Sequence, residues 1–483
     1  MEYFYFAIIC VLFIFAIIDL NVGVSNDAVN FLNSAVGAKA ASLKMILFIA
    51  AIGIFIGAST SSGMMDIARH GMFQPEHFYF RQLMCVFLAV TVTDVVLLDI
   101  FNSLGMPTST TVSMVFELLG ASFAISLIKI NSGESLEGVS TLGDLLNTGK
   151  ALEVIAGIFL SVAIAFFFGI IVQWLARLIF TYNYKKGLTK KIGLFGGVAV
   201  TSILYFMLFK GMKNAAFMTP DIKAYLNENT LMLLGIIFVV STVLMQFLHA
   251  LKVNIFKVII LIGTFALAMA FAGNDLVNFI GVTMAALDSV IHFAEVAVPA
   301  GLSADEYMMG FLNEPAQTSV WFLIGAGAIM VFALCTSKKA HEVLKTSINL
   351  SRQDEGDEMF GSSSMARKLV RAGMGFITSI NKISPKNVKR WVAKRFDQEH
   401  ATLDDGAAFD LVRASVNLVL AGLLIALGTS LKLPLSTTYV TFMVGMGTSL
   451  ADHAWGKRSA RGLSSYQSLY QGAKRKIPPF WRD

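Results

Sequence analysis

Asn26-Asp27-Ala28-Val29-Asn30-Phe31 is a short polar segment set inside apolar sequence, and Asn274-Asp275-Leu276-Val277-Asn278-Phe279 repeats it in the second half of the chain. Each copy lies where a membrane helix would otherwise run. An ionisable side chain at that depth is costly and marks an ion or substrate path by default. Two copies of such a segment point to two related halves around a shared site. Within each copy the acid and the second asparagine are three positions apart, Asp27 with Asn30 and Asp275 with Asn278, so they share one helix face.

The surrounding composition fits a polytopic membrane protein. Hydrophobic residues make up 55% of the 483 positions and charged residues 14%, where a soluble protein carries about 25% charged. Mean hydropathy is +0.68. Apolar runs recur at 3–20, 43–60, 83–104, 152–180, 192–209, 231–248, 255–272, 319–335 and 411–431. Each approaches the roughly 20 residues that cross the hydrocarbon core. The expected fold is an all-α polytopic membrane protein of about 10–12 membrane segments, with inverted repeats and broken or re-entrant helices. The first run lacks a basic start and a small-residue cleavage site, so a retained helix is expected. Cys10, Cys85 and Cys335 lie in or beside apolar runs without CxxC spacing, which suits buried packing residues.

The net charge of +6 is gathered in loops and is no nucleic-acid signature. Lys185, Lys186, Lys190 and Lys191 share one short loop, and thirteen Lys and Arg lie in 337–405. Both stretches are expected on the cytoplasmic side. The stretches 131–150 and 211–230 are polar with little basic excess and are expected outside. Within 337–409, Asp354, Glu355, Asp357 and Glu358 precede a run of three serines, Ser362 to Ser364, and 365–380 has the pattern of a surface amphipathic helix. The expected organisation is a first transmembrane repeat over 1–212, a second over 231–336 and 410–451, a cytoplasmic insert over 337–409, read as a linker, and a basic tail over 452–483.

A second motif is also duplicated. Pro107-Thr108-Ser109-Thr110-Thr111 is echoed by Pro434-Leu435-Ser436-Thr437-Thr438, each downstream of one Asn-Asp segment. Proline suits the first turn of a helix, and hydroxyl side chains beside it suit a helix start with unsatisfied backbone donors. A helix N-terminus presents N–H groups and partial positive charge, and so attracts oxyanions. Two of them facing each other would form a donor-rich anion pocket without Arg or Lys. The alternative is plain capping at kinked helices. The Asn-Asp segments offer the complementary chemistry. Carboxylate and amide oxygens suit Na⁺, or a proton on the carboxylate, while Asn26 and Asn274 can also offer N–H groups. Here the alternative is interhelical hydrogen bonding between two broken helices. Gly23 and Gly273 would then allow the tight backbone of the break.

The paired Asn-Asp-x-x-Asn segments, each followed by Pro-x-Ser-x-Thr, resemble the inorganic phosphate transporter (PiT/Pho4) family of cation–phosphate symporters. Ser25 to Asn30 and Gly273 to Asn278 look like that family's Gly-Ala-Asn-Asp-Val-Ala-Asn signature, and Ser34 to Ala40 looks like its Ala-Val-Gly-Ser-Lys-Ala stretch. There are departures. Val112 and Tyr439 stand where histidine is usual, Val24 and Ser25 replace Gly and Ala, and a basic tail stands where further spans are usual. That last departure leads to the expectation of a truncated or frame-shifted C-terminus. The resemblance implies an inverted-repeat symporter with its substrate at the midplane. Ser109, Thr110, Thr111, Ser436, Thr437 and Thr438, with Asn26 and Asn274, are the implied phosphate ligands. Asp27, Asn30, Asp275 and Asn278 are the implied cation or proton ligands, with Asp27 and Asp275 as the metal candidates for Na⁺.

Glu117 follows Pro107 by ten residues, about 15 Å along a helix, and is a candidate proton relay or a hydrogen-bonded buried carboxyl. Asp94 and Asp99 are candidates to line the same cavity, Lys432 is placed as an interfacial lysine, and Arg81 and Arg413 as headgroup anchors. The implied function is secondary active transport of inorganic phosphate with Na⁺ or H⁺ as coupling ion, in a multi-pass inner (plasma) membrane protein. No enzymatic activity and no cofactor beyond that ion are expected. The expected partners are phosphate and the lipid bilayer, with a homodimer as candidate assembly and no nucleic acid. No GxxxxGK[ST] motif occurs, so nothing points to ATP hydrolysis in this chain. The alternatives are a symporter of another oxyanion such as sulfate, a passive anion channel, and a membrane scaffold or sensor using the insert.

Overall fold

The computed structural model describes residues 2–61, 65–132, 141–184, 191–205, 219–314, 318–352, 385–396, 406–430 and 435–454, together with Met207 and Leu403. The loop lysines Lys185, Lys186 and Lys190, the 365–380 segment, the acidic and serine runs of the insert, Lys432, Pro434 and residues 455–483 lie outside them. The main helices are α1 (Glu2–Gly37), α2 (Leu43–Ser59), α3 (Phe80–Ser103), α4 (Thr110–Asn131), α5 (Thr148–Phe180), α6 (Ile192–Tyr205), α7 (Thr230–Ala250), α8 (Ile255–His292), α9 (Val320–Thr336), α10 (Lys339–Leu350), α11 (Leu411–Ser430) and α12 (Thr437–Ala454). Among the described residues, seven helices are long and apolar enough to cross a membrane, or eight if the bent pair α9–α10 counts as one span; α2 and α6 are shorter apolar helices.

The two Asn-Asp helices cross at the centre and run antiparallel. The Gly23 position of α1 meets the ring of Phe279 on α8, and Phe31 lies 5.3 Å from Phe271 between ring centroids. Towards the other end, Tyr5 lies 6.3 Å from Phe293. Early residues of α1 therefore meet late residues of α8. The neighbours follow the same rule: α1 packs on α3 as α8 packs on α11, and α3 packs on α4 as α11 packs on α12. Each Asn-Asp helix also touches the other half's hairpin. Equivalent helices running in opposite directions are what an inverted repeat requires.

Both central helices are continuous, contrary to the broken helices expected at the Asn-Asp segments. Asn26, Asp27 and Asp275 keep helical backbone because their side chains find partners outside their own helices, and Asn274 donates to Asp275 beside it, so no break is needed to satisfy them. Gly23 serves packing instead: a Cβ there would lie 2.0 Å from the Phe279 ring. Gly273 leaves its carbonyl open to the Ser61 hydroxyl, which donates to it at 2.7 Å. The bend lies between α9 and α10, at 69°.

Small residues set the tightest helix crossings, as is common in membranes. A Cβ on Gly57 of α2 would lie 2.2 Å from the Met269 carbonyl of α8, and one on Gly447 of α12 would lie 2.3 Å from the Phe166 carbonyl of α5. The outward faces are apolar; Phe159 and Phe167 of α5 and Leu231 of α7 are exposed. Cys10, Cys85 and Cys335 are free and exposed, not buried as expected; on these helices they fall on outward faces rather than at helix contacts.

Several polar residues are placed differently from expectation. Arg413 is fully buried and not a headgroup anchor. Its backbone N–H donates to Asp410 Oδ1 at 2.9 Å and its guanidinium lies 5.2 Å from the Phe409 ring. Asp410 also accepts from Arg177 Nη1 at 2.6 Å, and Asp452 accepts from Arg177 Nε and Nη2, both at 2.8 Å. This buried group ties the end of α5 to the start of α11 and the end of α12. Asp452 therefore belongs to the helical body, and the tail boundary at 452 falls inside α12. Within the segment expected as an insert, α10 packs its buried Val343 and Leu344 beside α1. Asp99 is exposed and accepts from Lys339 Nζ at 2.5 Å, away from the cavity expected for it. Arg81 is exposed and pairs with Asp305 at 3.0 Å.

Breaking one side of a buried ion pair leaves charge without a partner, at a cost of about 3–5 kcal/mol. Arg177→Met removes the guanidinium that Asp410 and Asp452 share, and a strongly lowered midpoint is expected in thermal unfolding of the purified protein. Gly447→Val forces α5 and α12 apart, with an expected loss of about 1–3 kcal/mol; an unchanged midpoint would show that the two helices part without cost.

Candidate functional site

The site forms where α4 and α12 begin against the crossing of α1 and α8. Ser109 caps α4 by accepting from Val112 N at 3.2 Å, and Ser436 caps α12 by accepting from Tyr439 N at 3.1 Å. The Ser436 hydroxyl donates to Ser109 Oγ at 2.6 Å. The two helix starts therefore meet head to head. Two N-termini, each with partial positive charge, face one buried polar volume.

The threonines after each serine bind the two aspartates in a crossed pattern. Asp27 accepts from Thr110 at 2.9 Å and from Thr438 at 3.0 Å. Asp275 accepts from Thr437 and, at 3.2 Å, from Thr111. Each carboxylate thus receives one hydroxyl from its own half and one from the other. The asparagines complete the network. Asn30 Nδ2 donates to Thr438 Oγ1 at 2.9 Å, and Asn278 Nδ2 donates to Thr110 and Thr111 at 3.1 Å each. Asn278 also reaches Asp275 at 3.3 Å, and Asn30 reaches Asp27 at 3.4 Å. Both carboxylates are fully buried, and such groups need this donor density to be tolerated.

Asn26 and Asn274 are also buried here but hold different things. Asn26 Nδ2 donates to Asn102 Oδ1 at 2.7 Å and to the Met106 carbonyl at 3.1 Å, while its Oδ1 accepts from Thr108 N at 2.8 Å. In this structure it fixes the turn that leads into α4. Asn274 Nδ2 donates to Asp275 Oδ1 at 2.8 Å.

Eleven of the twelve motif residues singled out in the sequence lie in this cluster, and Asn26, next to Asp27, bonds instead to the turn that leads into α4. Glu117 lies further along α4, where it and Asp94 share the Ser113 hydroxyl at 2.7 and 2.5 Å. Sequence reasoning missed Asn102, Ser61 and Thr441. Thr441 donates to Asn30 Oδ1 at 3.1 Å and lies one turn after Thr437, which was the available signal. Asn102 carried none, because its partner is 76 positions away. A cleft lined by Asn30, Asn33, Ser347, Asn417, Thr438 and Thr441 leads to one side of the site. Among the described residues, no group of three or more His, Cys, Asp or Glu could hold a metal ion. A cation here would rest on carboxylate and hydroxyl oxygens, hard donors suited to Na⁺ or a proton.

An inverted-repeat membrane bundle with a buried, donor-rich midsection belongs to the class of membrane transporters. The profile of the phosphate transporter family matches residues 23–346, and the chain belongs to that family. A solved structure, "The sodium-dependent phosphate transporter", shares the fold, with a TM-score of 0.58 and 17% identity over 92% of this chain and 90% of that one. Among curated proteins, no relative matches.

The role of Asn26 is open to a direct check. Asn26→Ala removes the acceptor for the Thr108 N–H and the donor to Met106. Faster hydrogen exchange is expected across 104–110, with no change at 274–278; equal protection in both segments would show that other contacts hold the turn.

Proposed function

We propose that the chain is a cation-coupled phosphate symporter whose ligands are the two duplicated motifs. Phosphate is bound between the head-to-head starts of α4 and α12, where it accepts from the Ser109 and Ser436 hydroxyls, the first N–H groups of both helices and the threonine hydroxyls. Asn274 lies within reach of the same volume, and Asn26 acts by holding the α4 start in place. The coupling cation, Na⁺ or H⁺, is taken by Asp27 and Asp275 with Asn30 and Asn278.

One observation supports this reading above the others: four threonine hydroxyls are committed to the two carboxylates, two on each. A hydroxyl has one proton to donate. Once a cation neutralises the carboxylate, that proton is free for a phosphate oxygen. Cation and anion then favour each other's binding, which is a coupling free energy between two sites. A phosphate dianion without that compensation would meet two buried negative charges. Because each carboxylate is held from both halves, cation binding also loosens the contact between the repeats, as alternating access about a fixed midplane site requires.

The family membership and the shared fold support phosphate as substrate, and the sodium-dependent transporter of like fold supports a coupling cation. Labelled phosphate uptake into proteoliposomes under an imposed Na⁺ or pH gradient tests the proposal. The parent chain should accumulate phosphate above equilibrium, with excess sulfate competing weakly. Asp27→Asn and Asp275→Asn should each abolish gradient-driven accumulation. Equilibration without accumulation would instead indicate a passive channel, and full coupling in both variants would make the aspartates structural.

A further inference from the structure

A second set of acids lies beside the site and takes no part in the threonine network. Asp94 of α3 and Glu117 of α4 meet at the Ser113 hydroxyl, and Asp19 of α1 lies beside Asp94. Asp19 and Asp94 are almost fully buried, 2% and 1% exposed. Asp19 and Asp94 lie within side-chain hydrogen-bonding reach of each other. Asp19 Oδ1, Asp94 Oδ2 and Glu117 Oε2 are buried with no hydrogen-bond partner. Three carboxylates thus each turn an unpartnered oxygen away from water.

The charged groups nearby do not balance them. On α1 the next acid is Asp27, eight positions along, about 12 Å of helix. On α8 the nearest acid, Asp275, is held by the threonines. The α9 segment has no acidic or basic residue. Lys339 of α10 is taken by exposed Asp99, and Lys129, at the far end of α4, donates to the His77 carbonyl at 2.6 Å. Isolated buried carboxylates at this density are prohibitive as anions.

The hydrogen bonds count protons. Ser113 Oγ is 2.5 Å from Asp94 Oδ1 and 2.7 Å from Glu117 Oε1. A serine hydroxyl donates once. It satisfies one carboxylate, and the other must donate to it, which requires a proton on that carboxyl.

The fold does not need these acids. Counted from Asp27 and Asp275, the place of Asp19 is taken in the second half by Leu267. Counted from Pro107 and Pro434, the places of Asp94, Ser113 and Glu117 are taken by Ala421, Val440 and Val444. All four are buried, so the equivalent positions pack as hydrocarbon. The threonine–aspartate site obeys the repeat, and the second acid cluster departs from it.

We infer that Asp19, Asp94 and Glu117 form a proton-binding site, distinct from the Asp27–Asp275 site, that loads and releases a proton during phosphate transport. Thr110, Ser113 and Glu117 are spaced to share one face of α4, so the proton site and the Asp27 site act on the same helix. This inference rests on the symport reading for its role in transport, but not for the bound proton.

Two measurements separate those parts. Infrared spectroscopy of the purified full chain at neutral pH should show a buried carboxylic-acid carbonyl band, lost or shifted in Glu117→Gln and in Asp94→Asn. Glu117→Gln preserves shape and guards against a misfolded Asp94 variant. No such band in the parent, or an unchanged band in both variants, would overturn the proton site even if transport stands. In proteoliposomes at constant Na⁺, an inward proton gradient should stimulate phosphate uptake by the parent. Glu117→Gln should lose that stimulation while keeping phosphate counterflow exchange. Undiminished stimulation would overturn the role in transport. If the parent moves no phosphate at all, the symport reading fails, and the infrared result still decides the proton.

Discussion

Two carboxylates are buried at the crossing of α1 and α8, and the asparagines of their own helices satisfy them only in part. An α-helix spends its backbone N–H groups internally, so α1 and α8 offer Asp27 and Asp275 no local backbone donors. The donors come from helix starts, where hydroxyl side chains are concentrated for capping. This requirement brings the Pro-Ser-Thr-Thr turns into the membrane interior and sets them against the aspartates. It also explains why α1 and α8 need not break. A continuous helix can carry a buried acid when a neighbour brings hydroxyls to it.

The antiparallel crossing decides which hydroxyl serves which acid. Each half contributes two adjacent threonines, and the first binds the acid of its own half. Thr110 takes Asp27 and Thr437 takes Asp275. The second binds across, Thr111 to Asp275 and Thr438 to Asp27. One hundred degrees of helix separates adjacent residues, roughly, which lets one helix start address two acids on opposite sides. The halves are therefore joined at their polar centre by four exchangeable hydrogen bonds. The contacts of α2 on α8 and of α5 on α12 are of another kind, with glycines at van der Waals distance from backbone.

This difference marks how much could be read from the chain. The two motifs, their order and their chemical types were legible, because Asn-Asp and Ser-Thr-Thr stand out against apolar sequence. The site residues they named do come together. The crossed pairing was not legible, since it depends on the hand and angle at which α1 meets α8. Arg413 was misplaced for a related reason: an arginine opening an apolar run looks the same whether it meets lipid headgroups or Asp410. Arg177 and Asp452 sit 275 positions apart, and neither carries a motif. Asp19 passed unnoticed as a single acid in a long apolar run, because its partners lie on two other helices.

Duplication supplies one symmetric site, and the departure from symmetry is informative for the same physical reason. Where both halves keep the same residues, the constraint is shared, as at the two aspartates. Where one half has Asp19, Asp94, Ser113 and Glu117 and the other has leucine, alanine and two valines, the packing constraint is met without acids. Hydrocarbon at those places costs nothing to bury, whereas a carboxylate there must be neutralised or bonded. Three acids retained against that cost in only one half make the two faces of the bundle electrostatically unequal. On the proposed reading, that inequality allows a proton to enter and leave on one side of a site whose phosphate ligands are otherwise arranged alike from both halves.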